Sequence, residues 1–454
     1  MLDADPSHTD EGRAFRIVMV VLAVGGLLSV TAILLTWRFL YADAAFFLLT
    51  MWERGSLFVN ADARWFALVA SQWLPAAGMA LGLRSPEGIA LLYGINLWLN
   101  PALAVVGVWF VSGGSREATL VAALATLFLF QTTYGFIESE ATVFFCVAAV
   151  WIALTLRRDF SPWILLLVLL MPFMHETYVL MLAPVLALFL ARRRRYEDYY
   201  GVWRYRALLV TIGATVAYAL ASQLVTIPSD EFVARNRSYF IGGTLSLGGS
   251  PALVLTTLTF VAGVAHSRRP QLTWLTAVFY ASAALLLALP FAFPQLIWPY
   301  YHYRARILHS AAALLVFAYL HARFVWHTAS ATAVRVAPFA TLALACFLFQ
   351  ARVTWEWQRH QGIFWEELNA ARGVVPFPQR GPLAEPRARQ FEWSWTTPVR
   401  SIVFQAIETG EVRAILLNAD TTVWQPFDPR APGELPDLTA LGVRYDSELT
   451  RPPR

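Results

Sequence analysis

Residues 17–50 decide the fold of this chain, and they read IVMVVLAVGGLLSVTAILLTWRFLYADAAFFLLT. Positions 17–36 form an apolar run that is long enough to cross the hydrocarbon core of a bilayer as an α-helix. The residues after it are aromatic and aliphatic, with a single carboxylate at Asp43. A solvated loop would surround this acid with polar residues and a lipid-facing helix would exclude it, so its position requires a physical account.

The composition indicates an integral membrane protein. Of 454 residues, 57% are hydrophobic and 14% are charged, and the mean hydropathy is +0.52, whereas about 25% of residues are charged in soluble domains. All 35 basic residues are arginine, which excludes a phosphate-loop or Schiff-base lysine and suggests a GC-rich bacterial genome. Cys146 and Cys346 each lie in an apolar run, which argues against a disulfide framework or a cysteine metal site.

Apolar runs of bilayer length recur along the chain. They cover residues 17–36, 88–111, 118–134, 141–156, 207–227, 251–265, 272–290, 307–322 and 335–351. The run 163–191 would be roughly 43 Å long as one helix, beyond the ~30 Å core. Short arginine-rich loops prefer the cytoplasmic side, and this run has such loops at both ends, so we predict two short helices broken near Pro172.

With this hairpin the sequence predicts an all-α polytopic protein of about eleven transmembrane helices in the bacterial cytoplasmic membrane, with its N-terminus inside. Domain 1–351 would hold the spans, and its first outer loop, 37–87, would include an interfacial helix at 65–82. Residues 352–454 are rich in Pro, Glu, Arg and Trp, and EVRAILLNA (411–419) alternates as a strand does. This tail is predicted to be a small extracytoplasmic α/β domain.

The topology brings several polar loops to the outer face. Besides Asp43, they hold acids between the third and fourth spans, a polar hairpin tip, and YYHYRAR (300–306) before a late span. The site residues that we select from these loops are Glu138, Glu140, His175, Glu176, Tyr300, Tyr301, Tyr303, Arg304 and Arg306.

These features together resemble the GT-C glycosyltransferases, which are membrane enzymes that use lipid-phosphate sugar donors. The resemblance rests on Asp43 after the first span, the run ADARWFALVASQWLPAAGMALGL (61–83), Glu138 or Glu140, the His175–Glu176 hairpin tip and YHYRARIL (301–308). It covers roughly the first 330 residues. Mannosyltransferases and aminoarabinose transferases of this type often have paired acids where Asp43 stands alone, and the oligosaccharyltransferase signature Trp-Trp-Asp-Tyr-Gly is absent.

The resemblance implies an inverting transfer from a polyprenyl-phosphate sugar to a glycan, lipid or protein acceptor, with membrane lipids but no nucleic acid as partners. Asp43 would be the general base, because a partly desolvated carboxylate accepts a proton more readily. Arg304 and Arg306 would hold the donor phosphate, since guanidinium forks match phosphate oxygens. The three neighbouring tyrosines would stack on the sugar or the prenyl chain. The acidic loop and the hairpin tip would bind the acceptor or a divalent cation such as Mg²⁺ or Mn²⁺.

Simpler interpretations stay open for each residue. Asp43 would also suit the N-cap of a helix that begins at Ala44. Glu138 and Glu140 would also suit a solvated loop, and the hairpin tip would also suit contact with headgroups. Arg304 and Arg306 would equally anchor a span to anionic lipid. For the whole protein, the alternatives are a transporter or flippase of lipid-linked glycans and a polymerase that joins two of them.

Overall fold

The structure is a computed structural model of the whole chain. It describes residues 6–41, 43–59, 64–132, 139–155, 157, 159–174, 193–229, 332–385, 391, 396–417, 427–431 and 433–450, with scattered positions between 178 and 190 and between 258 and 285. These residues are mostly helical, in agreement with the predicted all-α transmembrane part. Two small sheets accompany the helices.

The predicted apolar runs 17–36, 88–111, 118–134 and 141–156 each fall on a helix, and two further helices lie between the first two runs. The first helices of the chain are α1 (Pro6–Leu35), α2 (Asp43–Arg54), α3 (Trp65–Ala80), α4 (Pro86–Val111), α5 (Arg116–Thr132), α6 (Ser139–Thr155) and α7 (Trp163–Leu170). Among the described residues, the next helices are α8 (Arg193–Tyr200), α9 (Val202–Ser229) and α10 (Thr332–Ala370). The predicted interfacial segment 65–82 is thus confirmed as a helix, and its placement at a membrane surface stays a prediction.

Two helices among the described residues are long and apolar enough to cross a membrane, namely Phe15–Leu35 of α1 and Pro86–Val111. Only 17% of the apolar window in α1 is buried within the protein. Leu27 and Leu28, for example, expose 59% and 66% of their surface. A core helix of a soluble protein would bury such side chains, whereas a lipid-facing helix exposes them. The structure therefore supports membrane association.

The predicted break near Pro172 is confirmed. Helix α7 ends at Leu170, and a 3-10 turn, Met171–Phe173, follows it. Proline has no N–H for the helical hydrogen-bond ladder, and its ring crowds the preceding turn, which favours the end of α7 here. Proline does not end every helix of the protein, since α3 and α4 continue through Pro75 and Pro101. The hairpin tip, His175 and Glu176, lies outside the described residues.

The contacts divide the chain into two compact units. Unit 1 contains residues 1–29, 101–135 and 144–350. Within it, Val108 of α4, Ala118 and Ala122 of α5, and Ala153 of α6 belong to one buried hydrophobic cluster. A second cluster joins α1, α5 and α10 through Val18, Leu120, Leu124 and Ala343. The first cluster is rich in alanine, a composition that is common where helices associate in lipid.

Unit 2 contains residues 30–100, 136–143 and 351–454. Its tail has the predicted α/β character: β1 (Gly373–Val375) pairs in parallel with β3 (Ala414–Leu416), and β2 (Glu411–Val412) with β4 (Arg444–Tyr445). The strand predicted in EVRAILLNA is β2 and β3. Helix α11 (Thr397–Glu408) lies between the two partners of the first sheet and packs on β3, and the short α12 (Ser447–Thr450) follows β4.

One glutamine fastens α11 to the strand region of the tail. Gln405 Nε2 donates to the carbonyl of Ala414 (2.6 Å), and its Oε1 accepts from the amides of Arg413 (2.9 Å) and Ala414 (3.2 Å). Ser401 Oγ accepts from the amide of Leu416 at 3.2 Å. Both side chains are buried, so these bonds satisfy polar groups that would otherwise carry a desolvation cost.

The start of the tail differs from the prediction. Helix α10 is one element of 39 residues that continues past residue 351 to Ala370, about 58 Å at 1.5 Å per residue. The change of composition at residue 352 therefore does not end the helix. The tail does not form a compact unit of its own, because unit 2 contains residues 30–100 as well as the tail. The domain boundary at residue 351 stays a prediction.

Candidate functional site

Asp43 is the first residue of α2, so it lies in the first turn of a helix rather than before one. The side chain is half-buried, and the two residues after it, Ala44 and Ala45, are completely buried. An anionic group is favoured at this end because the unpaired N–H groups of a helix N-terminus carry partial positive charge. The expectation that the helix begins at Ala44 is wrong by one residue, which is within the usual variation of helix ends.

The turn before α2 holds a buried cation. Residues Arg38–Leu40 form a 3-10 turn, and Arg38 is completely buried. Its Nη1 donates to Thr354 Oγ1 of α10 at 2.7 Å. A buried guanidinium is costly unless it is hydrogen-bonded, so this contact fixes both the cation and the turn.

A second hydrogen bond supports the same turn. Trp357 Nε1 donates to the carbonyl of Thr36 at 2.9 Å, one helical turn along α10 from Thr354. Between these two contacts lies Trp37, whose φ of 52° is left-handed. A non-glycine residue in that region costs of order 1–3 kcal/mol and persists only where its surroundings hold it. The exit from α1 is therefore held from both sides by α10.

Aromatic side chains enclose the turn. Tyr41 meets Trp357 edge to face, with ring centroids 5.9 Å apart. Phe39 packs against Tyr93 of α4 at 6.4 Å, and both are completely buried. A Cβ at Gly94 would lie 2.8 Å from the Phe39 ring, so only glycine allows this approach. The turn that leads to Asp43 is thus packed on α4 and on the end of α10.

The same face of α10 continues into the tail. His360 and Phe364 follow Trp357 at helical spacing, and both are buried. Arg400 of α11 places its guanidinium 4.0 Å from the centre of the Phe364 ring, and its Nη2 lies 3.2 Å from His360 Nε2. Arg400 Nη1 donates to the carbonyl of Phe391 at 3.0 Å. This buried cation and its rings fix α11 to α10.

Helix α2 itself packs on α11 of the tail. At its far end, Glu53 lies near Tyr445, whose hydroxyl donates to the carbonyl of Pro436 at 2.9 Å. Burial is the main reason that the pKa of Tyr445 is raised well above its usual range, and the charges of Glu53 and Asp437 raise it further. The helix that carries Asp43 is thus part of one packed unit with the tail.

Helix α3 is held in unit 2 by amide side chains. Gln72 accepts from the amide of Phe58 at 2.9 Å. Asn96 of α4 donates to the carbonyl of Ala70 at 2.9 Å and accepts from the amide of Leu74 at 3.1 Å. Trp65 and Trp73 of the same helix are exposed. This arrangement is compatible with the predicted interfacial position, since tryptophan is favoured there.

The remaining predicted site residues cannot be compared with Asp43. Residues Glu138, His175, Glu176, Tyr300, Tyr301, Tyr303, Arg304 and Arg306 lie outside the described residues. Glu140 is in the first turn of α6, with only its backbone described. In the described part of the chain, no three His, Cys, Asp or Glu side chains are grouped as metal ligands. The predicted Mg²⁺ or Mn²⁺ therefore stays a prediction.

Sequence reasoning did not find Arg38, Thr354, Trp357 or Arg400. A signal existed for Arg38, because an arginine directly after a span that the sequence predicts to run outward departs from the preference of arginine for the cytoplasmic side. No local signal identified its partner, since Thr354 is 316 positions away. What the arrangement offers chemically is a half-buried carboxylate on a rigidly held helix, preceded by a buried guanidinium.

Comparisons with known proteins add no relative to this description. No family model, no curated protein sequence and no solved structure matches the chain. The resemblance to GT-C glycosyltransferases therefore rests on the residues and the layout described in the sequence analysis.

Proposed function

We propose that the protein is a polytopic membrane glycosyltransferase that transfers a sugar from a polyprenyl-phosphate donor to an acceptor on the outer face of the cytoplasmic membrane. The observation that carries the proposal is the position of Asp43. It is a half-buried carboxylate on a fixed helix end, shortly after an exposed apolar helix long enough to span. This is where a base can meet both a lipid-borne donor and an acceptor.

In the proposed reaction Asp43 accepts the proton of the acceptor hydroxyl. The hydroxyl oxygen forms a bond to the anomeric carbon while the bond from that carbon to the phosphate oxygen breaks, and the electron pair leaves on the lipid phosphate. Attack from the face opposite the phosphate inverts the anomeric configuration. The transition state is oxocarbenium-like, so a carboxylate nearby also favours the developing positive charge.

The other predicted residues have roles in this proposal that follow from their chemistry. Arg304 and Arg306 would stabilise the charge that develops on the leaving phosphate, because paired guanidinium donors match its oxygens. Tyr300, Tyr301 and Tyr303 would supply stacking surfaces for the sugar or the prenyl chain. The remaining predicted site residues would bind the acceptor or a divalent cation; they are Glu138, Glu140, His175 and Glu176.

A transfer assay tests the proposal. The full-length protein in detergent should move sugar from a synthetic polyprenyl-phosphate donor to an endogenous acceptor fraction and should release polyprenyl phosphate. The control substrate is the same sugar linked to a nucleotide instead of to polyprenyl phosphate, and it should give no product. A transporter would leave the glycosidic bond intact, and a polymerase would lengthen one lipid-linked glycan with another. Intact donor across a panel of donor sugars would contradict the proposal.

The proposed topology makes a separate prediction about opposite ends of the hairpin. Single cysteines at positions 175 and 193, introduced after replacement of Cys146 and Cys346, should react with a membrane-impermeant maleimide from opposite sides. Position 175 should label in intact spheroplasts, and position 193 only after permeabilisation. Both native cysteines are buried, so they should react little with the reagent, and their replacement removes the remaining background. Labelling of both positions from one side would exclude the hairpin.

A further inference from the structure

An exposed basic surface lies where α8 meets α9, far along the chain from Asp43. It combines four arginines of the two helices with an exposed indole, and Arg193 adjoins it. The residues of this basic surface are Arg194, Arg195, Trp203, Arg204 and Arg206. Trp203 exposes 81% of its surface. An indole left this exposed beside guanidinium groups is unusual for a protein surface in water and is typical of the headgroup region of a bilayer.

Buried tyrosines of α8 and α9 attach this surface to the interior of the protein. Tyr200 is 2% exposed and donates to the carbonyl of Thr155 at 2.9 Å. Tyr205 is 1% exposed and donates to the carbonyl of Phe189 at 3.0 Å. The Tyr196 ring packs on Phe189 with centroids 4.4 Å apart. These contacts fix the backbones of α8 and α9, from which the exposed arginines project.

The charge of the surface is positive. Arg193 pairs with Glu197 at 2.8 Å, and Asp198 is the other acid of α8. The guanidinium groups of Arg204 and Arg206 lie 5.6 Å and 5.9 Å from the rings of Phe160 and Trp203. Contacts with aromatic rings hold a guanidinium in position without neutralising it, so these arginines keep their charge for a ligand.

The exposed side of α9 changes character after Arg206. It is basic and aromatic up to that residue, and the exposed positions from there to residue 218 are Ala207, Val210, Gly213, Ala214, Ala217 and Tyr218. Val210 exposes 70% of its surface. A helix with a charged exposed end followed by an apolar exposed side passes from the headgroup region into hydrocarbon. The basic surface therefore lies at the depth of lipid phosphates.

We propose that the basic surface binds the headgroups of anionic phospholipids, with the guanidinium groups on the phosphates and Trp203 in the interface. Charge complementarity and the change of character along α9 both identify this occupant. Binding of anionic lipid would fix α8 against the membrane and make the stability of the protein depend on lipid composition. The proposal goes beyond glycosyl transfer and does not require it.

Lipid binding by the full-length protein in phosphatidylcholine nanodiscs tests this proposal. Fluorescently labelled phosphatidylglycerol is titrated into the discs. Its binding is measured as resonance energy transfer from the tryptophans of the protein to the label. A variant with Arg194, Arg195, Arg204 and Arg206 changed to Gln should bind phosphatidylglycerol at least about tenfold more weakly than the native protein. Raising the salt concentration should remove most of the difference, because exposed charges are screened.

The matched control loses the same charge elsewhere. It changes four exposed arginines of unit 2 to Gln, namely Arg359, Arg372, Arg380 and Arg430, and should bind like the native protein. Equal affinity of the two variants would overturn the proposal, and so would competition by inorganic phosphate at low millimolar concentration, which would indicate a free-phosphate site. If the fourfold variant does not fold, the pairs Arg194→Gln with Arg195→Gln and Arg204→Gln with Arg206→Gln should each give a partial loss. No sugar donor is present, so the outcome is independent of the transfer assay.

Discussion

Asp43→Asn is expected to lower the rate of sugar transfer at saturating substrate by a factor of roughly 10² to 10⁴. Asparagine keeps the size and most of the hydrogen-bonding capacity of aspartate but cannot accept the proton of the acceptor hydroxyl. Binding of the donor should change little, because the proposed base acts on the acceptor and not on the lipid phosphate. Single-turnover kinetics with a labelled donor would measure the chemical step and donor binding separately.

Two variants separate chemistry from structure in this test. Glu53→Gln removes an exposed carboxylate from the other end of the same helix, and it should retain nearly full activity. Asp43→Ala removes both the carboxylate and its interaction with the helix end, so it should also lose about 1 kcal/mol of stability. If Asp43→Asn keeps more than about a tenth of the native rate, Asp43 is not the base, and Glu138 or Glu140 would be tested next.

Local patterns in the sequence predicted the helices well. The apolar runs at 88–111, 118–134 and 141–156 correspond to α4, α5 and α6 within a few residues. Pro172 predicted a helix break because proline removes a hydrogen bond from the helical ladder, although α3 and α4 continue through Pro75 and Pro101. The strand in EVRAILLNA was visible as a two-residue alternation. In each case the cause lies within one or two helical turns of its effect, so no tertiary information was needed.

The support of the candidate site could not be predicted, because it depends on long-range packing. Composition changes near residue 352, but α10 continues through it, since Arg352 and Glu356 pair on the exposed side at 2.9 Å while Trp357 faces inward. Nothing in the local sequence indicated that this inner face would contact Thr36 or Arg38. The tail therefore looked like an appendage, whereas in unit 2 its helices pack on the segment that carries Asp43.

That packing leads to a prediction about Arg38, which we expect to position the base rather than to react. Arg38→Lys keeps the charge and loses the planar fork, and Thr354→Val removes the oxygen that accepts from Nη1 at 2.7 Å. Both changes loosen the turn that precedes α2. A displacement of about 1 Å at a reacting group can cost of order 10²-fold in rate, so each variant should lower kcat by roughly tenfold to a hundredfold.

A double-mutant cycle distinguishes this role from general damage to the fold. If Arg38 and Thr354 act through their mutual contact, the double variant should lose little more than the worse single variant, and KM for the donor should stay within about twofold. Arg54→Lys is the matched control, because Arg54 ends the same helix and is exposed; its kcat should equal that of the native protein. Independent, multiplicative losses in the cycle would show that the bond does not position Asp43. A fall in thermal stability with native kcat in the folded fraction would assign Arg38 to the fold alone, because a charge-assisted buried bond contributes about 1.5 to 3 kcal/mol whether or not catalysis depends on it.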